Sequence, residues 1–355
     1  MINEDYLKGR GAQLNTVNPF LKQSYVEEHI EGLDEPLLSN EKTHFLQEYP
    51  KTIVNEVKSP DINMMYSLNA YQGCEHGCSY CYARNVHQYW GFSAGLDFER
   101  KIIVKPDAPR LLDQVLSSYK WKAVPISMSG NTDCYQPAER KYELTRRLLE
   151  VFLKHKHPVT IITKNSLILR DLDLLKELAE LHLVKVMISV TGMNDDLRLI
   201  MEPRTASYVK RIQTIEKLNS SGIDCGVMNA PVIPGLNSEE IPSVLKAAGE
   251  AGAVSAGFTI VRLNGAVKDI FHNWLYSNFP DKADKVWHQV EACHGGSVTD
   301  GKWGRRMKGE GQEAEEIQKL FKLAQKKYIS NPEKYELDCS LYNPPLKNNQ
   351  LSLFS

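Results

Sequence analysis

Tyr71-Gln72-Gly73-Cys74-Glu75-His76-Gly77-Cys78-Ser79-Tyr80-Cys81-Tyr82 sets three cysteines at CxxxCxxC spacing among glycines and aromatics. Three soft thiolate ligands at such short spacing can wrap one metal centre. A closed zinc site or a fully protein-ligated cluster usually takes four ligands, and no fourth cysteine lies close by. One metal position is therefore left open for another ligand. The alternatives are a zinc ion with His76 or His87 as fourth ligand, or disulfides. The remaining cysteines, Cys134, Cys225, Cys293 and Cys339, are scattered, which argues against a disulfide framework. The balance favours iron and sulfur.

Outward from the loop, short apolar runs alternate with amphipathic stretches. Residues 65–70 read as a strand that delivers the cysteines at its C-terminal end, and residues 99–105 alternate as a second strand. Residues 124–129 form an apolar strand running into Gly130-Asn131-Thr132-Asp133-Cys134, and Pro137 suits the first turn of a helix that continues through Phe152. Strands at 159–163, 184–190, 223–232 and 257–261 follow, with helices between them for which Asp171, Ser207 and Ser238 are candidate caps. About six strand-and-helix units emerge, which implies an α/β fold with a parallel sheet, either a barrel or a doubly wound sheet. In both, chemistry gathers at the C-terminal ends of the strands. Here those ends carry the cysteine loop, Ser129 to Asp133, Thr163-Lys164, Ser189 to Thr191 and Pro234-Gly235.

The 355 residues suffice for one large domain or two ordinary ones. A hydrophobic content of 42% and a charged content of 25% are ordinary globular values, and a net charge of −1 gives no overall pull toward nucleic acid. No apolar run approaches the roughly 18 residues of a membrane helix, and the opening residues lack a signal-peptide pattern, so a cytoplasmic protein is expected. Four segments are expected: an irregular N-terminal extension over 1–62, the strand-helix body over 63–264, a helical region over 265–330 and a flexible tail over 331–355. Gly9-Arg10-Gly11-Ala12 reads as a flexible arm.

Taken together, the motifs across residues 64–330 resemble the radical S-adenosylmethionine (SAM) superfamily, and within it the spore photoproduct lyase-like group often labelled DNA repair photolyase. The resemblance implies a partial (β/α)6 barrel with SAM across the top of the sheet. It implies a 4Fe-4S cluster on Cys74, Cys78 and Cys81, with SAM chelating the fourth iron and Tyr80 at the signature's aromatic position. An electron, from a donor such as flavodoxin or ferredoxin, would then cleave SAM to methionine and a 5′-deoxyadenosyl radical that abstracts hydrogen from substrate.

SAM presents an amine, a carboxylate, a ribose diol and an adenine, and needs complementary groups for each. Ser129, Gly130, Asn131 and Thr132 occupy the strand end where the superfamily handles the amine, with polar residues in place of its usual acid. Lys164 and Ser189 resemble positions that reach the SAM carboxylate and ribose, and Arg204 is a second candidate for the carboxylate. Pro231, Pro234 and Gly235 would shape a loop whose backbone approaches adenine. Cys134 is the candidate hydrogen-atom donor, because spore photoproduct lyase places a cysteine of that role near the equivalent strand end.

Two features concern partners. Lys302, Arg305, Arg306 and Lys308 surround Trp303, a composition suited to phosphates and base stacking, although a solvated loop has the same composition. At the end, Gln350-Leu351-Ser352-Leu353-Phe354 resembles the bacterial sliding-clamp-binding peptide, with Gln350, Leu351, Leu353 and Phe354 as anchors. The function expected is radical SAM chemistry in DNA repair or nucleic-acid modification. The alternatives are a peptide or small-molecule substrate, or a non-enzymatic clamp- or nucleic-acid-binding iron-sulfur protein.

Overall fold

A computed structural model describes residues 6–21, 42–62, 64–329 and 336–343. Ten strands are present among them: β1 (His44–Gln47), β2 (Val54–Glu56), β3 (Tyr66–Leu68), β4 (Tyr71–Gln72), β5 (Lys101–Val104), β6 (Ile126–Met128), β7 (Val159–Thr163), β8 (Val184–Ser189), β9 (Cys225–Val232) and β10 (Ala256–Ile260). The main sheet runs β10-β9-β8-β7-β6-β3-β2. Its six strands from β3 to β10 are parallel and in chain order, while β2 pairs antiparallel with β3 at the edge. Each parallel step needs a crossover, and the sheet stays open between β10 and β2, as in a partial (β/α)6 barrel. A second, three-stranded sheet, β1-β5-β4, carries the chain into and away from the cysteine loop.

The helices are α1 (Arg84–His87), α2 (Leu96–Arg100), α3 (Ala108–Leu116), α4 (Glu139–Tyr142), α5 (Leu144–Lys154), α6 (Leu172–Glu180), α7 (Asp195–Met201), α8 (Tyr208–Asn219), α9 (Ile241–Glu250), α10 (Val267–Asn278), α11 (Ala283–Cys293) and α12 (Gln312–Tyr328). Strand alternation sorts the side chains: Val159 and Ile161 of β7 and Val184, Val186 and Ile188 of β8 join Leu148, Leu149, Leu175 and Leu178 of the helices in one buried core. Each such leucine contributes about 1.5–3 kcal/mol of burial. Ser127, Thr160, Ile162, Lys185 and Met187 line a cavity of about 270 Å³.

Several expectations change. The helix expected from Pro137 through Phe152 is two helices, broken at Glu143, whose φ of 49° lies in the left-handed region. The Glu139 carboxylate accepts the Thr145 N–H at 3.0 Å, so a side chain rather than the backbone satisfies the new helix start. Ser207 caps α8 as expected, but Asp171 makes no capping bond; its carboxylate accepts from Arg146, Arg170 and Tyr135. The helical C-terminal region is present, and α12 lies along α9 with Phe321 against Phe258 of β10, their ring centroids 4.5 Å apart.

The two terminal segments are less free than their polarity suggests. Arg10 and Ala12 are buried, so the stretch expected to be a flexible arm is part of the packed protein. Within the segment expected to be a flexible tail, residues 336–343 lie on the body: the Tyr342 hydroxyl donates to the Leu116 carbonyl at 2.6 Å, and its ring meets His157 edge-on. The clamp-like residues Gln350, Leu351, Leu353 and Phe354 lie outside the described residues. No helix among the described residues is long and apolar enough to cross a membrane.

Candidate active site

The cysteine loop leaves β4 through Gly73, whose φ of 79° and whose approach to the Phe98 and Lys101 carbonyls leave no room for a side chain. The loop is tied down on several sides. Cys74 N–H donates to the Phe98 carbonyl at 2.9 Å, and Ser79 N–H to that of Met201 at 3.0 Å. The Gln136 amide bridges Glu75 N–H and the Gly73 carbonyl, and the Arg84 Nε–H donates to the Cys78 carbonyl at 2.9 Å. Cys74 and Cys78 are buried and Cys81 is half-buried.

Burial pushes all three thiols up. Asp133 and then the neighbouring Cys78 and Cys81 raise Cys74 further, whereas Lys164 opposes the rise at Cys78 and Cys81. The cysteines are close enough to raise one another, and burial favours the neutral thiol at each. His76 is held by Asp133 at 3.4 Å and Asn165 at 3.3 Å, and His87 packs on Phe92 and Phe98; among the described residues no three His, Cys, Asp or Glu side chains, the three loop cysteines included, are gathered as ligands of a single ion.

Ser129 ends β6 in the left-handed region, with φ 72°, and its Oγ accepts the Cys134 N–H at 3.0 Å. Asn131 and Thr132 donate their backbone N–H groups to Asn69 Oδ1. Their side chains reach the segment that feeds the loop: Asn131 Nδ2–H donates to Gln72 Oε1 at 2.5 Å and the Thr132 hydroxyl to the Tyr71 carbonyl at 2.8 Å. The polar turn after β6 therefore lies directly against the cysteine loop. Lys164 joins the same site, its Nζ 5.9 Å from the Tyr80 ring centroid and its backbone N–H donating to Asp133 at 2.8 Å.

Ser189 is buried at the end of β8, where its carbonyl accepts from Arg211 at 3.0 Å. Arg204 borders the cysteine loop from the side of a cleft. Its N–H donates to the His76 carbonyl, its guanidinium is 3.9 Å from Glu75, and it lines a cleft of about 540 Å³ with Arg140, Arg198 and Lys210. Cys134 is buried in the main core, its carbonyl accepting from Thr145 at 2.6 Å, and burial followed by Asp133 keeps its thiol protonated.

Two acidic residues that sequence reasoning left unassigned organise the site. Burial alone would raise Asp133, but His76, the Lys164 N–H and Thr163 hold it down to about 2. Its two oxygens accept from Tyr135 N–H, the Thr163 hydroxyl and Lys164 N–H. Glu202 is fully buried and accepts from the Tyr80 hydroxyl, from Thr191 at 2.9 Å and from Arg211 at 2.5 Å. Against the upward push of burial, Arg211 and then Lys164 bring it to about 2. Asp133 sits between two residues already singled out, and Glu202 is two residues before Arg204, so position was the only signal available for either. Gln72 Nε2, Ser79 Oγ and Asn229 Oδ1 are buried without a hydrogen-bond partner among the described residues. Buried polar atoms of this kind fit a ligand that supplies the missing partners.

The loop of four cations is less available than its composition suggests. Arg305 is bonded to Asp300 and Glu310, and Arg306 to Asp61 and Ser59 while its guanidinium lies 4.0 Å from the Trp303 ring centroid. It braces residues 59–61 against the C-terminal region.

Residues 68–248 match the Radical SAM superfamily. The uncharacterized protein Rv2578c of Mycobacterium tuberculosis (strain ATCC 25618 / H37Rv) is 32% identical over 234 residues, covering 65% of this chain and 69% of its own. The uncharacterized protein MJ0683 of Methanocaldococcus jannaschii is 28% identical over 247 residues, covering 70% of this chain and 88% of its own. Among solved structures, a spore photoproduct lyase mutant with bound AdoMet and dinucleoside spore photoproduct superposes with a TM-score of 0.58 at 15% identity, covering 82% of each chain. Spore photoproduct lyase complexed with dinucleoside spore photoproduct gives 0.58 at 13% identity, covering 85% of this chain and 86% of its own. At such identity the likeness establishes the fold.

Proposed function

The chain belongs to the radical SAM superfamily, and from that membership we propose that Cys74, Cys78 and Cys81 hold a 4Fe-4S cluster whose open iron takes SAM. The observation that carries this is one loop that buries Cys74 and Cys78 and half-buries Cys81, with the Lys164 ammonium over the ring of Tyr80 between the last two. When bound and reduced, the cluster supplies the electron that cleaves SAM into methionine and a 5′-deoxyadenosyl radical able to take a hydrogen atom from substrate.

The chain's own groups have the following parts. The polar turn of Ser129, Asn131 and Thr132 receives the amine of SAM, while the Lys164 ammonium meets its carboxylate and Ser189 its ribose. Arg204 is left to the outer cleft. Tyr80, with its hydroxyl on Glu202 and its ring under Lys164, fixes that ammonium relative to Cys78. Loading the reconstituted cluster with SAM is expected to change its electron paramagnetic resonance line shape, and Lys164→Met is expected to weaken SAM binding about tenfold by removing one charge-assisted contact. An unchanged SAM affinity in Lys164→Met would remove Lys164 from the site.

A nucleic-acid substrate is the reading supported by the fold shared with spore photoproduct lyase, a structure of which holds a dinucleoside lesion. Cys134 has the chemistry of a hydrogen-atom donor, since its environment keeps the S–H intact. Cys134→Ala is expected to leave SAM cleavage intact and to change the yield of substrate-derived product; unchanged yield would make the residue a packing group.

The cation-lined cleft beside His76 supports docking of an acidic electron donor such as flavodoxin or ferredoxin. The double change Arg140→Glu and Lys210→Glu is expected to slow cleavage driven by such a protein and to leave dithionite-driven cleavage alone. Equal slowing with both reductants would contradict the assignment.

A further inference from the structure

The N-terminal stretch Gly9-Arg10-Gly11-Ala12 lies against the cysteine loop. Gly11 is in such close contact that a Cβ built on it would fall 1.6 Å from the Gly77 carbonyl oxygen and 3.0 Å from the Ser79 nitrogen. Both neighbours are backbone atoms between or beside the first two cysteines, so neither can swing aside as a side chain would. Gly77 is itself in the left-handed region, and its own Cβ would meet Glu99 at 2.8 Å. Gly11 thus permits a backbone-on-backbone contact that a side chain at its position would block, while Gly77 leaves room for the Glu99 carboxylate.

The contact is pinned by one carboxylate. Glu99 accepts Ala12 N–H at 2.8 Å, Gly11 N–H at 3.3 Å and the Arg84 guanidinium at 2.6 Å, while its carbonyl accepts from Arg10 at 3.0 Å. Arg84 carries the connection on to the Cys78 carbonyl. Arg84 and Glu99 are fully buried, so their charges depend on each other and on these bonds. Beyond Ala12 the strap continues over the segment that follows the cysteines: Leu96 N–H donates to the Leu14 carbonyl, Asp97 N–H to Asn15, Thr16 N–H to Ser93, and Asn18 to the Gln88 and Phe92 carbonyls.

We propose that residues 10–12 are a clasp for the cysteine loop, with Gly11 and Glu99 as positioning residues that hold the loop in its metal-binding shape. The idea rests on the reading that Cys74, Cys78 and Cys81 bind the cluster. Because the strap and the cluster both act on one loop conformation, each stabilises the other's docked state, and loading the cluster tightens the N-terminal segment. Neither Gly11 nor Glu99 touches a reacting atom; they act through the loop.

The test uses the full chain, reconstituted anaerobically with iron and sulfide. Gly11→Ala adds a single methyl at the contact, while Gly9→Ala, at a left-handed glycine with nothing within 4 Å, adds backbone strain without a clash. Gly11→Ala is expected to bind less iron per chain and to lose its visible absorbance in air roughly tenfold faster than wild type, with Gly9→Ala close to wild type. Equal iron content and equal lifetime in Gly11→Ala would overturn the clasp. Should Gly11→Ala fail to fold, hydrogen exchange on wild type decides: the Gly11 and Ala12 amides are expected to exchange more slowly in the loaded protein than in the iron-free one, and equal rates would overturn the proposal. A wild-type chain that takes up no iron would instead defeat the cluster reading on which the clasp stands.

Discussion

Replacing Cys74, Cys78 or Cys81 singly by alanine is expected to abolish formation of 5′-deoxyadenosine from SAM and to remove the signal of a SAM-responsive cluster. The effect should be all or none, since the loop offers no substitute ligand. His76 is engaged by Asp133 and Asn165, His87 is walled in by Phe92 and Phe98, and Cys134 packs in the main core. Serine in place of alanine would test ligand softness, because an alkoxide is a poorer partner for iron than a thiolate. A single-cysteine variant that kept wild-type cleavage would show that the loop is not the metal site.

Glu202→Gln is expected to destabilise the fold by about 3–5 kcal/mol, because it leaves Arg211 buried with a charge that has lost its carboxylate. The same change weakens the acceptor for Tyr80 and Thr191, linking the end of β8 to the cysteine loop. Chemical denaturation checks it, and a loss within about 1 kcal/mol of wild type would place the pair among weak surface-like bridges. The pH dependence follows from the sign of the shifts. Glu202 and Asp133 are held at about 2, below their ordinary values of 4.5 and 3.8. Each contributes stability that is fully present above the ordinary carboxylate range and is lost as pH falls from about 4.5 toward 2. Glu202→Gln should flatten part of that acid loss while lowering stability at neutral pH.

Much of this architecture could be read from residue order. The parallel strands announce themselves because Val159 to Thr163 and Val184 to Ser189 each bury alternate side chains against amphipathic helices, and local period carries that information. The cysteine spacing identified the loop for a similar reason, since its ligands are close in sequence. What escaped depends on distant partners. Gly11 looks like a residue of a flexible arm until Gly77, which it touches, is placed beside it. Glu202 attracted less attention than Arg204, yet burial reverses their importance: the acid is sealed with Arg211, whereas the arginine opens onto a cleft. Glu143 breaks a helix that its periodicity would continue, because the Glu139 carboxylate caps the second segment from the preceding turn. Tyr342 anchors a polar terminal segment through a single buried hydroxyl and an aromatic contact, which composition does not record.

The central claim is that this loop binds a reducible cluster that activates SAM. The direct measurement is 5′-deoxyadenosine release by the anaerobically reconstituted full chain with SAM and dithionite, compared with the triple alanine variant at Cys74, Cys78 and Cys81. The account predicts 5′-deoxyadenosine from the wild-type protein and none above background from the variant. A loaded wild-type protein that binds iron and sulfide yet releases none, or a variant that releases as much, would contradict it.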